Sequence, residues 1–282
     1  MNINDNPSRS YSIDGIELEA CESDQEKDLG VITSSSLLWT DQIKSSISKA
    51  NKMICWIARN LITRDVTTMV SVYKALVRPH IEYCVQLWNP VAVHGNWSLI
   101  LELEGVQRRF TRLIDDVGTL PYSQRLDILK LTTLAERRYR GDLIEAFKAV
   151  TGRTTISSIF NIGRSGLNLL YSPRISKGSK KVQNLSRSFL TNRVVKLWNM
   201  LPLFVKQADS VNSFKIYLET FKCDNVNSAC VGNFWDVSDE IFSRIEGPSY
   251  LANKKRHNDY LKLNPFVAKK KFINLSSTGL YN

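Results

Sequence analysis

Apolar residues between positions 43 and 61 recur at the spacing of an α-helix. They follow one another at steps of four and three residues, which places them on one helix face. The stripe consists of Ile43, Ile47, Ala50, Ile54, Ile57 and Leu61. Basic residues at positions 44, 49, 52 and 59 lie mostly off this stripe. The pattern predicts the first helix of a packed bundle.

Two further amphipathic stretches complete the predicted bundle. The first covers residues 65–88, and Pro79 should kink or divide it near Arg78, because proline donates no backbone hydrogen bond. The second covers residues 97–115, with an apolar stripe on one side and three arginines largely on the other. Three helices joined by short loops predict an antiparallel bundle over residues 37–120.

Extended structure is predicted before the bundle. Asp14 and Gly15 stand between apolar residues and both tolerate a positive φ, which favours a tight hairpin. A second strand is expected around residues 29–32, after an acidic loop. Residues 1–36 are therefore interpreted as a short β segment.

Residues 121–224 are predicted to be a second helical region that contains a basic loop. Helices are expected at 122–130 and 134–150, with a capping box at Thr133 and Glu136 and a left-handed cap at Gly152. Residues 152–185 are rich in Gly, Ser and Lys and predict a loop or mobile arm, followed by helices at 186–200 and 212–221. Residues 225–282 have little periodicity and are expected to form a weakly ordered tail. The predicted fold class is mainly α.

Charge is distributed unevenly along the chain, whose net charge is +11. The first 30 residues carry eight acidic and two basic side chains, whereas residues 146–208 contain no Asp or Glu. Such a basic field favours polyanions such as nucleic acid, through release of counterions from phosphate. The alternative is a basic protein that binds nothing acidic.

The five cysteines predict neither disulfides nor a zinc site. They are odd in number and form no C-x-x-C pair, and Cys55 and Cys84 stand among apolar residues of predicted helices, where buried, reduced thiols are expected. The chain opens with a polar stretch that does not resemble a secretory signal, and no uninterrupted apolar run could span a membrane. We therefore expect an intracellular protein of the nucleus or cytoplasm that is not secreted and has no membrane partner.

Several short motifs occur in one order across about 210 residues. They begin with Tyr11, Gly15, Leu18 and Glu19, then K-D-L-G-V at 27–31, an S-x-L-x-W-like segment at 36–39 and K-A-N at 49–51. Next come Y-K-x-L-V-R-P-x-x-E-Y-x-x-x-x-W-N-P at 73–90, V-Q-R-R at 106–109 and R-R-Y-R-G-D at 137–142. The series ends with R-V-V-K-L-W-N-M-L-P at 193–202 and V-N-S-F at 211–214. The series resembles the end of the palm, the thumb and the downstream region of reverse transcriptases from non-LTR retrotransposons, the jockey-like and chicken-repeat-like LINE elements. Residues after about 225 match no part of that pattern.

The resemblance implies a thumb-like helical bundle after a remnant of the polymerase palm. It begins downstream of the place where the family carries its catalytic aspartates. The adjacent pair Asp115 and Asp116 follows a predicted helix, so we expect a loop at the helix end and not a metal site. The three histidines are isolated from one another, and no nucleophile elbow or phosphate-binding glycine loop occurs. No catalytic residue, cofactor or small-molecule substrate is assigned, and Mg²⁺ is expected only for a full-length parent polymerase.

The chain is therefore interpreted as a non-catalytic C-terminal fragment of an RNA-directed DNA polymerase that binds template and primer, RNA and DNA, without reading sequence. The candidate contacts are Arg108, Arg109, Arg112, Arg137, Arg138, Arg140, Arg174, Lys177, Lys180, Lys181, Arg187 and Arg193. For two groups an alternative to nucleic-acid contact stays open. The first three arginines would form a solvated face, and the arginines at 137–140 would pair with neighbouring acids. Trp198 is expected to be buried and not to stack on a base. The rival function is a degenerate or domesticated helical interaction module, and the third alternative is a self-sufficient polymerase.

Overall fold

The computed structural model describes residues 11–18, 24–90, 97–154, 160–163, 168–171, 186–224 and 236–248, together with residues 250, 252 and 254. The chain divides into two compact units. Unit 1 comprises Met1–Gly118, Ile159–Asn161 and Leu170–Val195, and unit 2 comprises Thr119–Ser158, Ile162–Leu169 and Lys196–Asn282. Residues 159–195, most of which belong to the predicted basic loop, thus contribute to both units. Short strands β5, Asn161–Ile162, and β6, Leu170–Tyr171, lie in this segment.

Unit 1 begins with two antiparallel hairpins. Strands β1, Tyr11–Ile13, and β2, Ile16–Leu18, are joined by Asp14 and Gly15, both at positive φ, as the sequence predicted. Strands β3, Gln25–Asp28, and β4, Val31–Ser34, form the second hairpin, and Leu29 and Gly30 form its turn at φ of 46° and 86°. Only one strand was predicted here, because β3 is charged and Leu-Gly is not a common pair for a turn with two positive φ angles.

The bundle of unit 1 starts with α1, Thr40–Asn60, whose buried face contains four residues of the predicted stripe: Ile43, Ala50, Ile54 and Ile57. Helix α2, Val66–Val72, begins at Asp65, whose carboxylate accepts a hydrogen bond of 2.9 Å from the Thr68 amide. A π-helical turn, Tyr73–Val77, and helix α3, Arg78–Glu82, continue it. Pro79 therefore leaves the helix continuous, and the expected disturbance takes the form of a wider turn just before it.

Helix α4, Val85–Trp88, and helix α5, Trp97–Thr111, complete the bundle. Helix α5 ends four residues before the predicted end, because the chain turns back at Gly118, where a Cβ atom would lie 2.5 Å from the Arg112 carbonyl oxygen. The core is aromatic: the rings of Tyr73 and Phe110 are 5.0 Å apart, and the Tyr73 hydroxyl lies 2.7 Å from Gln107 Oε1.

Unit 2 contains α6, Tyr122–Leu129, and α7, Leu134–Val150. The predicted bounds of α7 are confirmed, because Thr133 accepts a hydrogen bond from the Glu136 amide and Gly152 has a φ of 67°. One carboxylate oxygen of Glu136 accepts a hydrogen bond of 3.2 Å from Ser238 of a later helix.

Four more helices follow: α8, Leu190–Met200; α9, Leu203–Lys206; α10, Val211–Asp224; and α11, Asp236–Glu246. Phe214 of α10 stacks on Phe147 with ring centres 4.4 Å apart. Trp198 is fully buried, as predicted, and its indole nitrogen donates to the Asn168 carbonyl oxygen at 2.8 Å. The mainly helical fold with small hairpins is thus confirmed.

Helix α11 corrects one expectation, because residues 225–282 were predicted to be weakly ordered throughout. Val237 and Ile241 are buried, and both Glu246 carboxylate oxygens accept hydrogen bonds from Ser123, at 2.6 and 3.0 Å. These contacts cap the start of α6 from a position far along the chain, which local periodicity does not reveal. Residues 255–282 and most of the predicted mobile arm lie outside the described residues.

Candidate nucleic-acid interface

The predicted arginine face of α5 is partly open to solvent. Arg109 and Arg112 are exposed, whereas Arg108 is half-buried and engaged within the chain. Glu102 lies seven residues before Arg109 and so on nearly the same side of the helix. The exposed part of the predicted face therefore consists of two arginines.

The carboxyl ends of α1 and α5 lie at the same end of the bundle. The Asp115 amide, just after α5, donates a hydrogen bond of 3.1 Å to the Arg64 carbonyl oxygen, just after α1. The two helices pack against each other and therefore run in the same direction. Arg59, near the end of α1, thus lies at the same end as Arg109 and Arg112.

Helix α1 carries a basic face that the candidate list did not contain. Lys44, Lys52 and Arg59 are exposed, and they line one open groove of about 690 Å³. None of the three forms an ion pair with another residue in the described part of the chain. Together with Arg109 and Arg112 they are called the α1/α5 basic surface below.

The groove also contains aromatic and neutral polar groups. Trp56 is 56% exposed, although a tryptophan is usually largely buried. Asn51 lies on the groove wall nearer the core, and its Oδ1 atom is buried and accepts no hydrogen bond from the described residues. Glu102 of α5 contributes to the lining, and its carboxylate accepts a hydrogen bond of 2.9 Å from Ser98.

Sequence reasoning missed this face because it looked for clustered arginines. A signal was present: Lys44, Lys52, Trp56 and Arg59 follow one another at steps of eight, four and three residues, opposite the apolar stripe. The distinguishing feature in the sequence is a tryptophan on the polar side of an amphipathic helix. The surface carries acids as well, since Asp41 precedes it and Asp115 and Asp116 are exposed beside its arginine end.

The candidate arginines of α7 are held within unit 2. Arg138 is only 3% exposed and has partners inside the chain. Arg140 forms an ion pair of 2.8 Å with Glu219, and Arg137 is half-buried with partners of its own. The arginines at 137–140 thus resemble the alternative of internal pairing more than a free phosphate-binding cluster, although the acid that Arg140 engages lies on α10 and not on α7.

The candidates between residues 174 and 193 have different positions. Arg187 is exposed, whereas Arg193 is 8% exposed and donates hydrogen bonds of 2.7 and 2.6 Å to the carbonyl oxygens of Ser188 and Gln86. Arg174, Lys177, Lys180 and Lys181 lie outside the described residues. Of the predicted contacts, Arg109, Arg112 and Arg187 present an exposed charge.

Two expectations about reactive side chains have different outcomes. Asp115 and Asp116 lie in the exposed turn after α5, as expected of a loop at a helix end. Cys55 and Cys84 are exposed, so the prediction that both thiols are buried is wrong. Cys55 follows the buried Ile54 but points to the groove side of α1, and Cys84 occupies a left-handed turn between α3 and α4.

Within the described ranges, no three His, Cys, Asp or Glu side chains are grouped so that they could hold a metal ion. The same part of the chain contains no helix with the length and apolar character needed to cross a membrane. Comparisons of the chain with protein-family models, with curated proteins and with solved structures gave no match.

Proposed function

We propose that this chain is a non-catalytic nucleic-acid-binding fragment of a retrotransposon-type RNA-directed DNA polymerase, with unit 1 acting as its thumb. The observation that carries the proposal is the α1/α5 basic surface. Its cations come from two parallel helices, and its α1 members have no acidic partner among the described residues. The order of the sequence motifs supports the choice of family.

The binding mode proposed is backbone contact. Lysine and arginine side chains on a rigid helical face can track phosphates of a template–primer duplex, and such contacts carry no sequence information. A rise of about 1.5 Å per residue spreads Lys44 and Arg59 over about 22 Å of α1, enough for contacts to several phosphates. Template and primer, RNA and DNA, are the partners this surface would take.

The test is the affinity of the full chain for a fluorescent RNA–DNA hybrid duplex at about 50 mM salt, measured by anisotropy. The double variant Arg109→Ala with Arg112→Ala should bind about tenfold more weakly or worse, because two charge-assisted phosphate contacts are lost. The matched control is Lys27→Ala with Lys74→Ala, which removes the same charge from exposed positions of unit 1 outside the surface. An equal loss of affinity in both variants would show that the duplex is attracted by the net charge of the chain alone.

A second candidate function is supported by unit 2. Leu203, Phe204, Ile216 and Tyr217 are exposed on α9 and α10, where Ile216 is 63% exposed and the rings of Phe204 and Tyr217, 6.0 Å apart, form an apolar patch. Patches of this kind mark protein–protein contacts, so this observation favours the helical interaction module. A wild-type chain that leaves the hybrid duplex unbound at about 50 mM salt would favour this second function, and primer extension with Mg²⁺ would contradict both.

A further inference from the structure

The groove on α1 is lined mainly by positive charge. Lys44, Lys52 and Arg59 are exposed there, and Glu102 of α5 is the one exposed carboxylate among its lining residues. Three cations against one carboxylate favour a ligand with an anionic part.

Trp56 adds a second requirement. Its indole stands at the edge of the groove, one turn after Lys52 and one turn before Arg59 and Asn60, and more than half of its surface faces solvent. Exposing an indole costs free energy that burial against a flat partner would recover. Indole rings flanked by cations are the usual stacking platforms for bases of single-stranded nucleic acid.

Base pairing decides which nucleic acid can use the indole. In a duplex the base faces are stacked on one another, so only an unpaired base can stack on Trp56.

We propose that the α1 groove binds an unpaired nucleotide of a single-stranded nucleic acid, with the base stacked on Trp56 and the flanking phosphates on Lys52 and Arg59. The proposal rests on the proposed function and extends it from duplex contact to a single-strand subsite. Lys44 extends the phosphate path along α1, towards the start of the helix.

The first test compares two polyanions by anisotropy competition: a deoxyadenosine oligonucleotide of about 12 nucleotides, within the usual site size, and inorganic polyphosphate, which has no bases. Trp56→Ala should weaken oligonucleotide binding about tenfold or more and change polyphosphate binding less than about twofold. Trp56→Phe should retain most of the affinity, because it retains an aromatic face. Ile62→Ala, which removes another exposed apolar side chain of unit 1, is the matched control and should have no effect.

The position of the ligand is tested through two exposed thiols. Cys55 lines the groove and Cys84 does not, so alkylation of each by iodoacetamide can be followed by peptide mass spectrometry. The deoxyadenosine oligonucleotide should slow alkylation of Cys55 and leave that of Cys84 unchanged. Equal protection of both thiols would place the ligand elsewhere and overturn the proposal.

The remaining outcomes distinguish failure of the single-strand site from failure of the proposed function. If the hybrid duplex binds through Arg109 and Arg112 but Trp56→Ala weakens both polyanions equally, the single-strand site is rejected and the proposed function stands. If wild-type chain binds none of the nucleic acids, both are rejected. If polyglutamate displaces the oligonucleotide and is equally sensitive to Trp56→Ala, the groove accepts acidic peptides and the nucleotide proposal is wrong.

Discussion

Lys206 is a lysine whose charge is nearly enclosed by protein. The residue is 5% exposed, and among the described residues its ammonium has one partner, the Asn199 carbonyl oxygen, at the long distance of 3.5 Å. Burial lowers the pKa of Lys206 below its ordinary value of 10.5, because the charged form loses its hydration. An enclosed ammonium with one weak acceptor destabilises unit 2 as long as it is protonated.

Lys206→Met should therefore raise the free energy of unfolding at neutral pH. Because the folded-state pKa is the lower one, the unfolded chain binds more protons in the interval up to 10.5, and wild-type stability increases as the pH rises through that interval. The advantage of the methionine variant should shrink over the same interval. Urea unfolding at pH values from about 7 to 10.5 measures it.

Lys196→Met is the control for this experiment, since Lys196 is exposed on α8 and has no hydration to recover. Its free energy of unfolding at neutral pH should be close to that of the wild type. A Lys206→Met chain that is less stable than the wild type at pH 7 would show that the enclosed ammonium makes a net favourable contribution.

Single residues differ in how far sequence predicts their environment. The burial of Trp198 follows from its place on the apolar stripe of its own helix. The burial of Arg193 does not, because one of its acceptors, the Gln86 carbonyl oxygen, is 107 residues away. Cys55 and Trp56 are the reverse case: apolar types that the fold leaves exposed because they lie off the apolar stripe, on the groove side of α1.

At the scale of elements, prediction succeeded where the boundaries are set locally. Helix α7 begins at Thr133 and ends before Gly152 as expected, since a capping hydroxyl and a glycine at positive φ act within one turn. Helix α11 was not predicted, because its stabilising partners, such as Ser123, lie more than 100 residues earlier in the chain. Strand β3 was not predicted, because all four of its residues are exposed and its sequence lacks β-branched residues.

Two glycines, one inside α7 and one just after its end, test this local control, because alanine should change the free energy of unfolding in opposite directions at the two sites. Gly152→Ala should destabilise unit 2 by about 1–2 kcal/mol, because alanine at its left-handed φ brings Cβ too close to the backbone. Gly141→Ala, in the interior of the same helix, should stabilise it by about 0.5–1 kcal/mol, because alanine loses less backbone entropy on folding. An added Cβ has no neighbour within 4 Å at either site, so packing does not confuse the comparison.

Thermal or urea unfolding of the two variants and the wild type measures the effect. Destabilisation by Gly141→Ala would indicate a close approach that the structure does not have. A neutral Gly152→Ala would mean that the chain leaves the helix in another conformation. The two substitutions change the chain by the same single methyl group, so any difference between them comes from the backbone.

At the scale of the whole molecule, the return of the chain from unit 2 to unit 1 was not visible in the sequence. Residues 170–195 belong to unit 1 although they follow the first two helices of unit 2 in the chain, and no local pattern encodes such a return. The charge distribution was visible, but it did not indicate which cations are exposed. The acid-free segment 146–208 drew attention to arginines, of which Arg193 is buried, while the exposed cations of α1 lie outside it.

The salt dependence of duplex binding distinguishes a contact surface from the general attraction of a chain with a net charge of +11. If all five cations of the α1/α5 basic surface neutralise phosphates, log K should fall with log salt at a slope of about −4.5, or about 0.9 per contact. Affinity should then fall about 500-fold between about 50 and 200 mM salt.

The slope also assigns the contacts residue by residue. Arg109→Ala with Arg112→Ala should reduce its magnitude to about 2.7, because two contacts no longer release counterions. Lys27→Ala with Lys74→Ala removes the same charge and should leave the slope near −4.5, since counterion release depends on direct contact and distant exposed charges are screened beyond about 10 Å at 0.1 M salt. A slope that changes equally in both variants would mean that the duplex is held by the overall field of the molecule and that the arginines of α5 have no special place in it.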